Sequence, residues 1–202
     1  MNIHNHIEEK LIDFLFQEKA IQIGNFTLSS GKKSMFYIDL RIIQSHPLHF
    51  RNSIFLLKQH ILNNIGLENF DYICSLPTSG TIFGIALAYE LFKPHIYIRK
   101  TLKNYGTNKN IEGDLISNSR ILLIDDVITT GHSLISAIEA LRDFSEIKHV
   151  LVFVNRANES ENLLKSFNIP LNHIISSNTI FSTLFKNKRI SKDVLDGLKY
   201  EL

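Results

Sequence analysis

The 202-residue chain carries 22 Lys and Arg against 20 Asp and Glu, a formal net charge of +2, so no charge excess demands a nucleic acid as partner. Its length suits one α/β domain with a sizeable core, and a single cysteine, Cys74, excludes an internal disulfide or a clustered cysteine metal site. No apolar run approaches membrane-spanning length, and His4, Glu8 and Glu9 stand where a secretory signal needs a basic segment and an apolar stretch, so no membrane partner is expected and the cytoplasm is the expected location.

Residues 7–19 set Ile7, Leu11, Ile12, Phe14, Leu15 and Phe16 at helical spacing and predict an amphipathic helix. His4 and His6 have no third ligand nearby and read as solvated polar residues. Thr27-Leu28 and residues 36–40 predict two strands joined by a Ser/Gly/Lys turn. On composition alone this is equally a structural hairpin with a solvated basic tip. Pro47 opens a helix expected to run to about Asn64 and to stop at Gly66. Residues 72–76 predict the first core strand, in which Cys74 reads as a small buried hydrophobe. The strand runs into Pro77-Thr78-Ser79-Gly80-Thr81 and a helix over 82–91; taken by itself, that turn is as readily a plain one. Residues 95–98 predict another short strand. Residues 99–114 then form a long polar segment with two glycines and four cations, Arg99, Lys100, Lys103 and Lys109. Such a segment is a solvated surface or a lid that closes on a diphosphate leaving group.

The stretch 120–133, R-I-L-L-I-D-D-V-I-T-T-G-H-S, is the most informative. Four aliphatic residues suit a strand buried on both faces, and Asp125 and Asp126 bound it. Val127, Ile128, Thr129, Thr130, Gly131, His132 and Ser133 follow, leading into helical spacing at Leu134, Ile135, Ala137, Ile138 and Leu141. The chemistry therefore falls on a turn between a parallel strand and a helix N-terminus, where free N–H groups and the helix dipole favour a phosphate. The two acids accept hydrogen bonds from sugar hydroxyls, so an anion cradle beside a diol acceptor reads as a site for a ribose 5-phosphate. The bland alternative is a buried strand whose acids cap a turn. A phosphoacceptor receiver domain carries its acid pair on the first strand, and an ATPase needs an upstream G-x-x-x-x-G-K-[ST] loop; neither fits. Further on, residues 149–154 predict a buried strand ending in Asn155-Arg156. An arginine just past a strand end points into the crevice shared by the strand ends and can grip a carboxylate bidentately; otherwise it is a surface arginine. Ile174-Ile175 predict a last strand, and 178–185 and 191–198 closing helices. Without repeats or linkers, residues 1–202 read as a single domain: N-terminal helix and hairpin over 1–45, α/β core over 46–202.

The acid pair and threonine-rich glycine turn closely resemble the phosphoribosyl diphosphate (PRPP) signature of type I phosphoribosyltransferases. F-T-L-S-S-G-K-K-S-x-x-Y-I-D-L-R resembles the N-terminal hood of orotate phosphoribosyltransferases, and R-K-x-x-K-x-Y-G-T-x-K-x-I-E-G their catalytic loop. The 77–81 turn resembles the loop of that family that contacts diphosphate. The resemblance implies an α/β fold of type I phosphoribosyltransferase form, a mainly parallel twisted sheet flanked by helices under a small hood. It implies transfer of the phosphoribosyl group of PRPP to orotate in pyrimidine biosynthesis, with Mg²⁺ held mainly by PRPP. It also implies a homodimer that shares catalytic loops. By position, Arg99, Lys100, Lys103 and Tyr105 fall to PRPP and its diphosphate, with Lys103, Arg99, Lys100, Asp125 and Asp126 catalytic. Asp125 and Asp126 take the ribose hydroxyls, residues 128–133 the 5′-phosphate, and Val127 lies beside them. Thr129, Arg156, Phe36 and Tyr37 fall to orotate. Three departures stand out: Tyr105 where many members have histidine, and Ser29 and Ser79 where some bacterial members have lysine. Lys32 or Lys33 is the candidate replacement for one of those lysines. A transferase for another base, and a PRPP-sensing regulator without turnover, are the rival readings.

Overall fold

A computed structural model describes residues 3–28, 31–99, 110–156 and 164–199. Its centre is a six-stranded sheet built from the apolar runs of the sequence. In chain order the strands are β3 (Tyr72–Ser75), β4 (His95–Ile98), β5 (Ile111–Glu112), β6 (Ser119–Ile128), β7 (Ser145–Asn155) and β8 (Leu171–Ser176), arranged β5-β4-β3-β6-β7-β8. All neighbours run parallel except the short β5, which pairs antiparallel with β4. Before the sheet come α1 (Ile3–Gln17), the hairpin β1 (Ile21–Thr27) with β2 (Lys33–Ile38), and α2 (Pro47–His60). The remaining helices are α3 (Ser79–Leu91), α4 (His132–Leu141), α5 (Ser177–Lys186) and α6 (Lys192–Leu198).

Parallel strands covered on both faces need apolar residues in both directions, and the two cores divide by strand alternation. Ile73, Leu122, Ile124, Leu151 and Phe153 pack with α1, α2, α3, the hairpin and α5 on one face. Cys74, Ile121, Leu123, Val150 and Val152 pack with α4 on the other. Phe83 of α3 stacks on Phe153 at 5.6 Å, and burial holds the Cys74 thiol protonated well above its usual range. Gly84 lets α3 sit on the sheet: a methyl added there would stand 2.7 Å from Ser75 Cβ and 3.0 Å from His95 Nε2. At the N-terminal edge of the strands, Lys93 Nζ donates to the carbonyls of Leu67 and Phe70, at 2.9 and 2.8 Å, and ties the end of α3 to the turn before β3.

The expected architecture is present, with corrections at the boundaries. The first hairpin strand begins at Ile21, six residues before Thr27, and Leu40 opens a 3₁₀ turn in place of ending a strand. The Pro47 helix gives way at Ile61 to a π turn that ends at Gly66, whose φ is +85°. The helix expected from residue 82 begins at Ser79. The polar segment expected over 99–114 is not all loop: Ile111 and Glu112 form β5, because Ile111 packs against the second core.

Candidate functional site

The acid pair lies inside β6, not beyond it, since the strand continues to Ile128. The two carboxyl groups are close enough to interact directly through their side chains. Asp125 Oδ1 accepts the peptide N–H of Asp126 at 2.9 Å. The first turn of α3 presses on this spot: a methyl added at Gly80 would stand 2.8 Å from Asp125 Oδ1, 3.0 Å from Asp125 Cα and 3.1 Å from the Ile124 carbonyl. Only a residue without a side chain allows that approach. Burial, with the neighbouring Asp126 carboxylate second, pushes the Asp125 carboxyl well above the usual carboxylate range.

Beyond β6 the chain turns through Thr129 and Thr130, both half-buried, into Gly131. Gly131 has φ +78° and forms the N-cap of α4, a left-handed position that glycine adopts without steric cost. It offers no capping side chain, so the opening amides of α4 border a recess of about 260 Å³ lined by Asp125 and residues 127–134. Ile128 and Leu134 are 2% and 1% exposed, so they contribute backbone to that recess; the hydroxyls come from Thr129, Thr130 and the exposed Ser133. Uncapped amides at the positive end of a helix, ringed by hydroxyls, bind an oxyanion.

Ser133 also borders a second recess of about 320 Å³, with Leu76, Pro77, Ile98, Arg99, Asn110 and three small residues of α4. Its floor is the 76–78 turn, where the Pro77–Thr78 peptide is cis, and its wall is the stem of the cationic segment. In that stem the Arg99 peptide N–H donates to the Asn110 carbonyl at 2.8 Å and the Arg99 guanidinium pairs with Glu112. Arg99 therefore faces the site from an ion pair. Lys100, Lys103 and Tyr105 lie outside the described residues, as does Ser29.

Arg156 directly follows β7 and is 6% exposed, so it is no surface arginine. Its peptide N–H donates to the Ile128 carbonyl at 3.1 Å, locking it to the last residue of β6. Its Nη2 donates to Ser34 Oγ at 2.9 Å and to the Phe36 carbonyl at 3.0 Å, and its guanidinium lies 4.1 Å from the Phe36 ring centre. Phe36 corrects its assignment: the ring is 1% exposed and packs edge-on against Phe181 at 4.9 Å, because β2 alternates and turns Ser34, Phe36 and Ile38 inward. Tyr37 is on the other side of the strand, half-buried against Phe26. Ser79 is buried in the first turn of α3, and Lys33 Nζ donates to Thr27 Oγ1 at 2.8 Å within the hairpin. Two contributors went unassigned in the sequence. Ser34 is one. The other is Arg41, which Asp39 grips at 2.7 and 2.5 Å and which also feels Tyr37 and Asp126 electrostatically. The quoted I-D-L-R run carried that signal.

A family model described as phosphoribosyl transferase domain matches residues 39–178. The orotate phosphoribosyltransferase of Cenarchaeum symbiosum is 37% identical over 90% of this chain and 92% of its own. The crystal structure of orotate phosphoribosyltransferase from Aeropyrum pernix is 30% identical and superposes with a TM-score of 0.77 over 90% of this chain and 99% of that one. Leishmania donovani UMP synthase, at 26% identity, gives a TM-score of 0.83 over 95% of this chain and 41% of its own.

Proposed function

The chain belongs to the orotate phosphoribosyltransferase family, and on that premise we propose that it transfers the phosphoribosyl group of PRPP to orotate, forming orotidine 5′-monophosphate and diphosphate for pyrimidine biosynthesis. The observation that carries the proposal is the meeting of three features at one edge of the sheet. These are the open α4 amides behind Thr129 to Gly131, the acid pair beside them, and Arg99 across Ser133.

In this reading the 5′-phosphate rests on the amides of residues 130–134 and the hydroxyls of Thr129, Thr130 and Ser133. Asp126 accepts from the ribose hydroxyls, with Asp125 beside it. Diphosphate lies towards Arg99, Lys100 and Lys103, with Tyr105 on the same segment. The bond from the anomeric carbon to diphosphate breaks with oxocarbenium-like charge and its electron pair leaves with diphosphate; the orotate ring nitrogen bonds to that carbon, and the proton it carried passes to the departing diphosphate or to solvent. Catalysis then comes from holding the two reactants in line and stabilising the departing anion. The cationic segment does the second most strongly when it excludes water. Thr129 and Arg156 hold orotate, Arg156 by its carboxylate and Tyr37 from the hairpin above.

Among the described residues no group of three or more His, Cys, Asp or Glu is arranged to hold a metal ion. The oxygen donors at the site are the Asp125 and Asp126 carboxylates, which suit a hard cation that keeps most of its contacts to substrate. Such an ion, Mg²⁺ in this reading and held mainly by PRPP, would supply charge neutralisation on the diphosphate, with Asp125 and Asp126 as the nearest protein donors. No helix among the described residues is long and apolar enough to cross a membrane. We assign the reaction to the cytoplasm, a compartment that suits a chain whose one cysteine is a buried free thiol.

A second copy of the chain is part of the proposal. Ile85 and Tyr89, at i and i+4 on α3, are 53% and 82% exposed, the C-cap Phe92 that follows them is 97% exposed, and Tyr97 of β4 is 37% exposed. An aromatic stripe of this kind is costly to leave in water and suits a self-interface. Tyr97 is two residues from Arg99, so this surface adjoins the root of the cationic segment and supports loops that serve the neighbouring site. The activity test is absorbance: orotate should disappear on adding PRPP and Mg²⁺, whereas a panel of purine bases should not react. Turnover of another base with orotate inert would overturn the assignment.

A further inference from the structure

We infer that the buried Ser34 hydroxyl is a positioning residue for base recognition: it sets the plane of the Arg156 guanidinium, so that the hairpin and the end of β7 recognise the base carboxylate as one unit. The inference rests on the reading of Arg156 as the orotate carboxylate partner.

Ser34 is 4% exposed and shares the inward face of β2 with Phe36 and Ile38. A hydroxyl in such an apolar row is costly unless it is bonded. Among the described residues, Ser34 is bonded as follows. It donates to the Phe36 carbonyl at 2.9 Å, accepts the Phe36 N–H at 3.3 Å, and accepts Arg156 Nη2 at 2.9 Å. The Phe36 carbonyl takes the same Nη2 at 3.0 Å, and the Phe36 ring supports the guanidinium from one face at 4.1 Å. Two acceptors on one nitrogen and a ring beneath fix both the direction and the tilt of a planar group. The rest of Arg156 is equally constrained. Its N–H is held by Ile128, directly before Thr129, and its carbonyl accepts Ser177 Oγ at 3.0 Å. The guanidinium plane is thereby referenced to the strand end that carries the phosphate turn. Bidentate recognition of a carboxylate depends on that plane, whereas long-range attraction of an anion does not. Removing the Ser34 hydroxyl keeps the charge and releases the orientation, so the loss should fall on orotate and spare PRPP.

Steady-state kinetics on the full chain test this with Ser34→Ala, Ser34→Thr, Arg156→Gln and the Ser34→Ala/Arg156→Gln pair. Ser34→Ala should raise the KM for orotate about tenfold or more while the KM for PRPP stays within about twofold. Ser34→Thr, which keeps the hydroxyl, should stay within about threefold of the parent for both. In the Arg156→Gln background, Ser34→Ala should add no further rise, because the group it positions is gone. Equal increases in both KM values, or increases that multiply in the double variant, would overturn the role of Ser34. If Arg156→Gln leaves the orotate KM unchanged, the reading of Arg156 itself falls. If Arg156→Gln impairs orotate and Ser34→Ala does not, Ser34 alone is misassigned. Should Ser34→Ala not fold, Ser34→Cys, similar in size and a poor acceptor, replaces it with the same two outcomes.

Discussion

Asp125 holds its proton to higher pH than an ordinary carboxylate, first because it is buried and second because Asp126 adjoins it. The consequence for stability follows from linkage. A carboxyl whose folded pKa lies above its unfolded value, about 3.9 for aspartate, stabilises the fold fully below that value; the stability is lost as pH rises through the folded pKa. The ligand-free protein should therefore lose thermal stability as pH climbs from the carboxylate range, and Asp125→Asn should flatten that slope and raise the melting temperature at neutral pH. The same change should cost turnover about tenfold or more, the trade expected where a strained group serves substrate. Thermal unfolding against pH for both proteins, beside their kinetics, checks the two halves together. Lys103 offers a second prediction at this scale. If it steadies the departing diphosphate, Lys103→Ala should lower kcat by about a hundredfold while changing the KM for PRPP far less, the pattern of an interaction made in the transition state. Equal loss in both would assign it to ground-state binding.

At the scale of elements, the site is a strand, a turn and a helix, and glycine makes the turn. Gly131→Ala forces a side chain into the left-handed region at φ +78°, at ~1–2 kcal/mol. It should weaken PRPP binding by more than its loss of melting temperature alone would suggest, since the strained residue opens the turn with the first free amides; the Kd from isothermal titration with PRPP reads this directly. Much of this unit was legible in the sequence. The 121–124 run, the acid pair and the threonine-glycine turn fell where periodicity and turn chemistry put them. The extension of β6 to Ile128 did not, because two aspartates disfavour strand and only pairing of Asp125 and Val127 with Val152 and Val154 keeps them in it. β5 was hidden for the same kind of reason: two residues become strand only because the edge of β4 is beside them. The tie from Arg156 to Ser34 joins residues 122 positions apart, so no local pattern could announce it. Phe36 was assigned to orotate from a motif, whereas the alternation of β2 turns its ring into the core.

For the whole molecule, the fold gathers the phosphate turn, the cationic stem and the buried arginine at the carboxyl ends of β6, β4 and β7, where open parallel sheets bind ligands. α3 serves two surfaces at once. Its first turn abuts Asp125 through Gly80, and on its outer side Ile85, Tyr89 and the C-cap Phe92 are exposed in the single chain. On the proposed self-interface, Tyr89→Glu combined with Phe92→Glu should give a monomer in sedimentation velocity where the parent chain gives a dimer, and lower activity in proportion, with the fold retained by circular dichroism. Full activity in a proven monomer would contradict shared loops. The account as a whole turns on where the sugar phosphate lies, and a crystal structure of the protein with PRPP and Mg²⁺ measures that most directly. The 5′-phosphate is predicted within hydrogen-bond distance of the amides of residues 130–134, with the ribose hydroxyls at Asp126. A complex with PRPP bound elsewhere, and the turn at Gly131 empty or closed over by its own side chains, would contradict it.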